Sequence, residues 1–125
     1  MKYVLDIYYS SQNEPYEKHN GYVIDEPTLF CMAFSTDEYT FEIKRENGKV
    51  SVERKGEQSY CIALSKTPTS FSLKTPFGSL VYSTQLKSFD VEKKDNSYSL
   101  TLVYLLVDNS GHAQENILKM KGRIK

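Results

Sequence analysis

The Asn47-Gly48 dipeptide, set between two runs of alternating apolar and polar residues, is the feature that most constrains what this chain can fold into. The pair tolerates positive φ at both central positions of a tight hairpin, so it predicts two antiparallel strands in one defined register. Glu46 then faces Lys49, Ile43 faces Val52 and Phe41 faces Arg54, which puts Phe41, Ile43, Val50, Val52 and Arg54 on a shared face. The next loop, Gly56-Glu57-Gln58, sets Arg54 opposite Tyr60, Val52 opposite Ile62 and Val50 opposite Leu64, again with apolar on apolar. A turn at Lys66-Thr67-Pro68-Thr69 would pair Leu64 with Phe71, Ile62 with Leu73 and Tyr60 with Thr75. Intervening residues such as Thr40, Glu42, Lys44, Ser51, Glu53, Ser70 and Lys74 are polar, as in a sheet with one wet and one buried face.

The same alternation runs through the chain. Ten Tyr, six Phe and frequent β-branched residues, with turn residues about every 8 to 12 positions, predict an all-β protein. Strands are expected at 2–9, 16–25, 28–35, 38–46, 49–55, 58–65, 70–75, 79–92, 97–107 and 112–124. Leu80, Tyr82, Thr84 and Leu86 point inward, but Phe89 and Val91 then fall on odd positions, so a β-bulge is expected near Lys87-Ser88. The last hairpin turns at Asn109-Ser110-Gly111, with Leu100, Leu102, Tyr104 and Leu106 against Met120, Leu118, Asn116 and Gln114. An open sheet would expose two edges and an apolar face, so an antiparallel up-and-down barrel of roughly eight to ten strands is expected.

At 125 residues and 14.4 kDa, residues 1–125 form a single expected domain. The formal net charge of +0 gives no global field for nucleic acid or an anionic membrane. Lys2 and Asp6 interrupt the opening strand, which excludes a signal-peptide core, and no membrane-spanning run occurs, so a soluble cytoplasmic protein is expected. Cys31 and Cys61 are expected as free thiols without metal-ligand spacing.

Arg54-x-Gly56, Thr75-Pro76-Phe77-Gly78-x-Leu80, Tyr104-x-Leu106 and the closing Asn116-x-Leu118-x-Met120 resemble the YwiB-like family of uncharacterised bacterial proteins. The resemblance runs through nearly the whole chain and is clearest from Tyr39 onward. It implies a calycin-type, lipocalin-like barrel of cytoplasmic bacterial origin, a domain of unknown function with no assigned catalytic residues.

The inward polar set is Arg54, Tyr60, Thr75, Tyr82, Thr84, Tyr104 and Asn116, and these residues are the expected lining of a small-molecule site. A few hydroxyls, an amide and one cation among aliphatics could orient a single ligand, and the forked donors of Arg54 suit a carboxylate or other oxyanion. The competing reading makes Arg54 a plug at a barrel end, satisfied by carbonyls and by Tyr60. On the outside, Val81, Val103, Leu105, Val107 and Ile117 form an apolar patch, the expected contact surface of a homodimer. Lys119, Lys121, Arg123 and Lys125 form a basic stripe, read as a solvated edge that binds no nucleic acid because no aromatic interleaves with it. His19 and His112 are expected at the surface, and no catalytic triad, metal site or cofactor fingerprint is found. The function expected is a non-catalytic, small-molecule-binding barrel; the alternative is a structural or adaptor protein that works through the outer patch, with a filled interior.

Overall fold

The alternation of side chains becomes ten antiparallel strands in the computed structural model, which describes residues 1–125. They are β1 (Lys2–Ser11), β2 (Glu17–Asp25), β3 (Leu29–Ser35), β4 (Tyr39–Glu46), β5 (Lys49–Gly56), β6 (Tyr60–Leu64), β7 (Thr69–Thr75), β8 (Gly78–Lys94), β9 (Ser97–Val107) and β10 (Ala113–Ile124). One sheet contains them all, in the order β6-β5-β4-β3-β2-β1-β10-β9-β8-β7, curled into a nearly closed barrel. No helix of the structure is long and apolar enough to cross a membrane.

The turns set most of the register as expected. Asn47 (φ 50°) and Gly48 (φ 80°) form the predicted hairpin, with Phe41 opposite Arg54 and Ile43 opposite Val52. Arg54 pairs with Tyr60, Val52 with Ile62 and Val50 with Leu64 across β5 and β6. Leu100 pairs with Met120 and Tyr104 with Asn116 across β9 and β10, and the β-bulge falls between Leu86 and Ser88. Leu5, Ile7, Met32, Ile43, Leu100, Leu102 and Met120 are fully buried, so side chains fill the barrel at mid-height.

One hairpin does not form. β6 and β7 are the two ends of the sheet, and Leu64–Phe71, Ile62–Leu73 and Tyr60–Thr75 are not ladder pairs. The reason lies in β8, which is long enough to pair with β7 along its first half and reach past it to the end of β6. Thr69 pairs with Thr84, and just beyond, the Leu86 amide donates to the Ser65 carbonyl at 2.7 Å. Thr84 is only 1 % exposed, and its hydroxyl lies 3.1 Å from both the Ala63 and the Thr69 carbonyl oxygens, one at the end of each terminal strand. It therefore clasps the seam instead of lining a site. The bulge follows directly, where added twist lets the rest of β8 turn Phe89 and Val91 inward.

Thr84→Val keeps the shape but removes the clasp, leaving two part-buried carbonyls without that donor. Stability should drop by about 1–3 kcal/mol, read as a lower urea midpoint, and an unchanged midpoint would refute the role assigned to Thr84.

Candidate binding site at the barrel mouth

Strand direction decides which side chains meet at each end. The ends of β1, β3, β5, β7 and β9 lie at one mouth with the starts of their antiparallel partners, so Tyr9, His19, Phe34, Tyr39, Phe41, Arg54, Tyr60 and Tyr104 all gather there. The rings of Tyr9, His19, Phe34, Tyr39 and Phe41 form one continuous cluster, while Tyr60 packs edge-on to Phe71. Tyr9 packs 5.3 Å from Phe34 and 5.1 Å from Phe41, and Phe34 lies 6.3 Å from Tyr39.

Arg54 sits on this rim with its guanidinium carbon 3.8 Å over the Tyr39 ring and its Nε donating to the Glu57 carbonyl at 2.9 Å. Both contacts fit the plug reading for the stem and Nε. The terminal nitrogens take part in no hydrogen bond or ion pair within the chain. Burial pushes the Tyr60 hydroxyl above the ordinary tyrosine range against the opposing pull of Arg54, and pushes Tyr104 up to about 12 with Tyr60 adding to the effect. Tyr9 is raised further, again by burial first and then by the neighbouring Tyr60 hydroxyl. These phenols thus remain neutral hydrogen-bonding groups at physiological pH.

His19 corrects the sequence reading that placed it at the surface. Opposite Ile7 on the inward face of β2, it stacks on Phe34 at 4.2 Å with the planes 8° apart. Its Nε2 is the one buried side-chain polar atom without a hydrogen-bond partner; Glu17 Oε2 lies 3.5 Å away, outside hydrogen-bonding geometry. The signal for its inward placement was the register with β1, which the turn between β1 and β2 did not reveal. His112 is exposed, as expected.

The other expected lining residues are dispersed. Thr75 spends its hydroxyl on the tight turn, donating to the Gly78 carbonyl at 2.7 Å and accepting from the Phe77 amide. Tyr82 packs on Phe71 and lines a pocket of about 240 Å³ with Leu80, Val81 and Asp108. The Asn116 amide reaches the Gln114 carbonyl of its own strand at 3.5 Å. Five surface pockets of about 170 to about 360 Å³ are lined by other residues than Arg54, Tyr60 and Tyr104. The mouth is a polar rim over a packed barrel.

The opposite end is shut. Arg45, inward on β4 and overlooked in the sequence, lies with its guanidinium carbon 4.9 Å over Phe89, and Phe30 packs edge-on to the same ring. Buried Tyr98 donates its hydroxyl to the Asp25 carboxylate at 3.0 Å.

On the outer face, Val103 pairs with Ile117 and Val107 with Ala113, but polar Gln85 and Glu115 flank Leu105, and Val81 is 43 % exposed. The basic stripe also differs from expectation. Tyr8 lies directly opposite Lys121, and Lys121 Nζ is 4.9 Å from the Tyr16 ring centre, so aromatics do adjoin it. Cys31 is buried and Cys61 exposed, both free.

Residues 29–120 match the family described as "Domain of unknown function (DUF1934)", well over half of the chain. The chain belongs to this family. The fold of this DUF1934 protein is also that of the ywiB protein from Bacillus subtilis, whose crystal structure matches with a TM-score of 0.66 over 99 % of this chain and 93 % of that one, at 15 % identity. No curated protein matches the DUF1934 chain.

The raised tyrosines make stability depend on alkaline pH. The unfolded chain releases phenolic protons near pH 10, whereas folded Tyr104 holds its proton to about 12. The stabilisation is complete below about pH 10 and is lost as pH rises towards 12. Tyr104→Phe should show a shallower loss of stability than wild type between about pH 10 and about pH 12, measured by urea denaturation; identical slopes would contradict the burial of that hydroxyl.

Proposed function

We propose that this protein is a non-catalytic, cytoplasmic binder of a small planar anion, held at the barrel mouth between Arg54 and the tyrosine cluster. The observation that carries this reading is the gathering of unused hydrogen-bonding capacity on one aromatic rim: the terminal nitrogens of Arg54, His19 Nε2, and the Tyr60 and Tyr104 hydroxyls. His19 Nε2 is the buried unpaired atom among them and the others keep access to solvent, so the set suits an incoming acceptor. A carboxylate would take the guanidinium fork, with the half-buried Tyr60 of the partner strand beside it. The packed middle restricts the ligand to the rim. Two free thiols suit a reducing compartment.

Binding to the folded state alone raises the melting temperature, by the equivalent of about 2.7 kcal/mol at a hundredfold excess over Kd. A panel of aromatic carboxylates screened by thermal shift should contain stabilisers of wild type that leave Arg54→Met unshifted, with the variant still folded. Silence of wild type across the panel, together with destabilisation of unliganded Arg54→Met, would leave Arg54 as a plug.

The filled mid-barrel favours a second reading, an adaptor that pairs with another copy of itself through the Val103–Ile117 stripe on the outer face. In that case Leu105→Lys should turn a dimer into a monomer by light scattering with an unchanged circular dichroism spectrum. Wild type that is monomeric at high micromolar concentration rules this reading out.

A further inference from the structure

A second site lies outside the barrel, at the end opposite the mouth. Across β8, β9, β10 and β1 the register places side chains in rows on the outer face. Lys94, Ser97 and Arg123 form one row, and Glu92, Ser99, Lys121 and Tyr8 the next. Serines on β9 are short and the residues on both flanks are long, so the surface is a trough with a hydroxyl floor and charged walls. Its volume is about 360 Å³, within the usual size of a small-ligand site.

Its cations lack acidic partners, although Lys121 Nζ lies 4.9 Å from the Tyr16 ring centre. Lys94, Lys121 and Arg123 form no ion pair, and the nearby Asp6 is taken by Lys125 at 3.4 Å. Glu92 lines the trough and Asp6 stands directly opposite Arg123, so three cations against these two carboxylates, one of them already shared with Lys125, leave a local excess of positive charge. Tyr8 is 39 % exposed at the far end of the second row, an open ring face next to Lys121.

We propose that this trough binds a nucleoside monophosphate. Lys94 and Arg123 flank the phosphate from two sides while the Ser97 hydroxyl donates to it from the floor, a charge-assisted arrangement. Glu92 accepts from a sugar hydroxyl one row away. The base lies on the Tyr8 ring, where stacking tolerates any base and Lys121 adds a cation beside it. The site is independent of the mouth, and so is its test.

Adenosine 5′-monophosphate titrated into isotopically labelled protein should shift the amide resonances of Ser97, Ser99 and Arg123 and leave those of Arg54 and Tyr60 in place. Arg123→Ser and Lys94→Ser, both on the outer face, should each weaken binding by about tenfold or more with otherwise unchanged spectra. Tyr8→Leu should erase the preference for adenosine 5′-monophosphate over ribose 5-phosphate. Absence of shifts at millimolar nucleotide overturns the proposal, as does equal binding of the two phosphates by wild type. Binding of a short oligothymidylate without binding of the mononucleotide also overturns it, in favour of single-stranded nucleic acid.

Discussion

The barrel depends on how its two terminal strands are held together without a ladder between them. β6 and β7 are short edges, and each would leave a row of unpaired backbone groups if the sheet stayed open. β8 resolves this by serving both. Its first half pairs with β7, and then Thr84 and Leu86 reach the carbonyls at the end of β6. A hydroxyl can bridge two strands where a backbone ladder cannot, because it projects from the strand instead of lying in the sheet plane. The bulge beside it supplies the extra twist that carries the rest of β8 across the closed end.

With the seam closed, the two ends take different forms from similar parts. Each has an inward arginine over an aromatic ring, Arg54 on Tyr39 and Arg45 on Phe89. At the closed end the neighbouring phenol is already engaged, since Tyr98 donates to Asp25. No carboxylate plays that part for Tyr60 or Tyr104, whose hydroxyls burial pushes above the ordinary tyrosine range, with Tyr60 adding to the effect at Tyr104. Paired polar groups consolidate a fold, whereas unpaired ones in the same setting cost stability unless something else supplies the partner. This contrast between the ends, more than any single residue, singles out the mouth. The same criterion directs attention to the outer trough, where Lys94, Lys121 and Arg123 form no ion pair although Glu92 and Asp6 stand close by.

Much of this was legible in the sequence because β-hairpins are local. Two central residues with positive φ at Asn47-Gly48 fix their own pairing, and an apolar set with period two then fixes which face is buried, so Arg54 opposite Phe41 and Tyr60 could be read without coordinates. The same logic located the bulge from a slip in parity between Leu86 and Phe89. It erred at Lys66-Thr67-Pro68-Thr69, where a turn that looked like a hairpin loop instead carries the chain from one edge of the sheet to the other.

That error marks the boundary between the two sources of information. The sequence alone determined strand positions, inward and outward faces and the pairings across short turns, since each follows from a few neighbouring residues. Tertiary structure alone decided which strands become neighbours at the seam, that Thr84 is a clasp, that His19 turns inward onto Phe34, and that Tyr8 stands beside Lys121. Each of these joins residues on strands far apart in the chain or across a loop without turn chemistry. Such contacts are set by how the whole sheet curls, which no local pattern encodes.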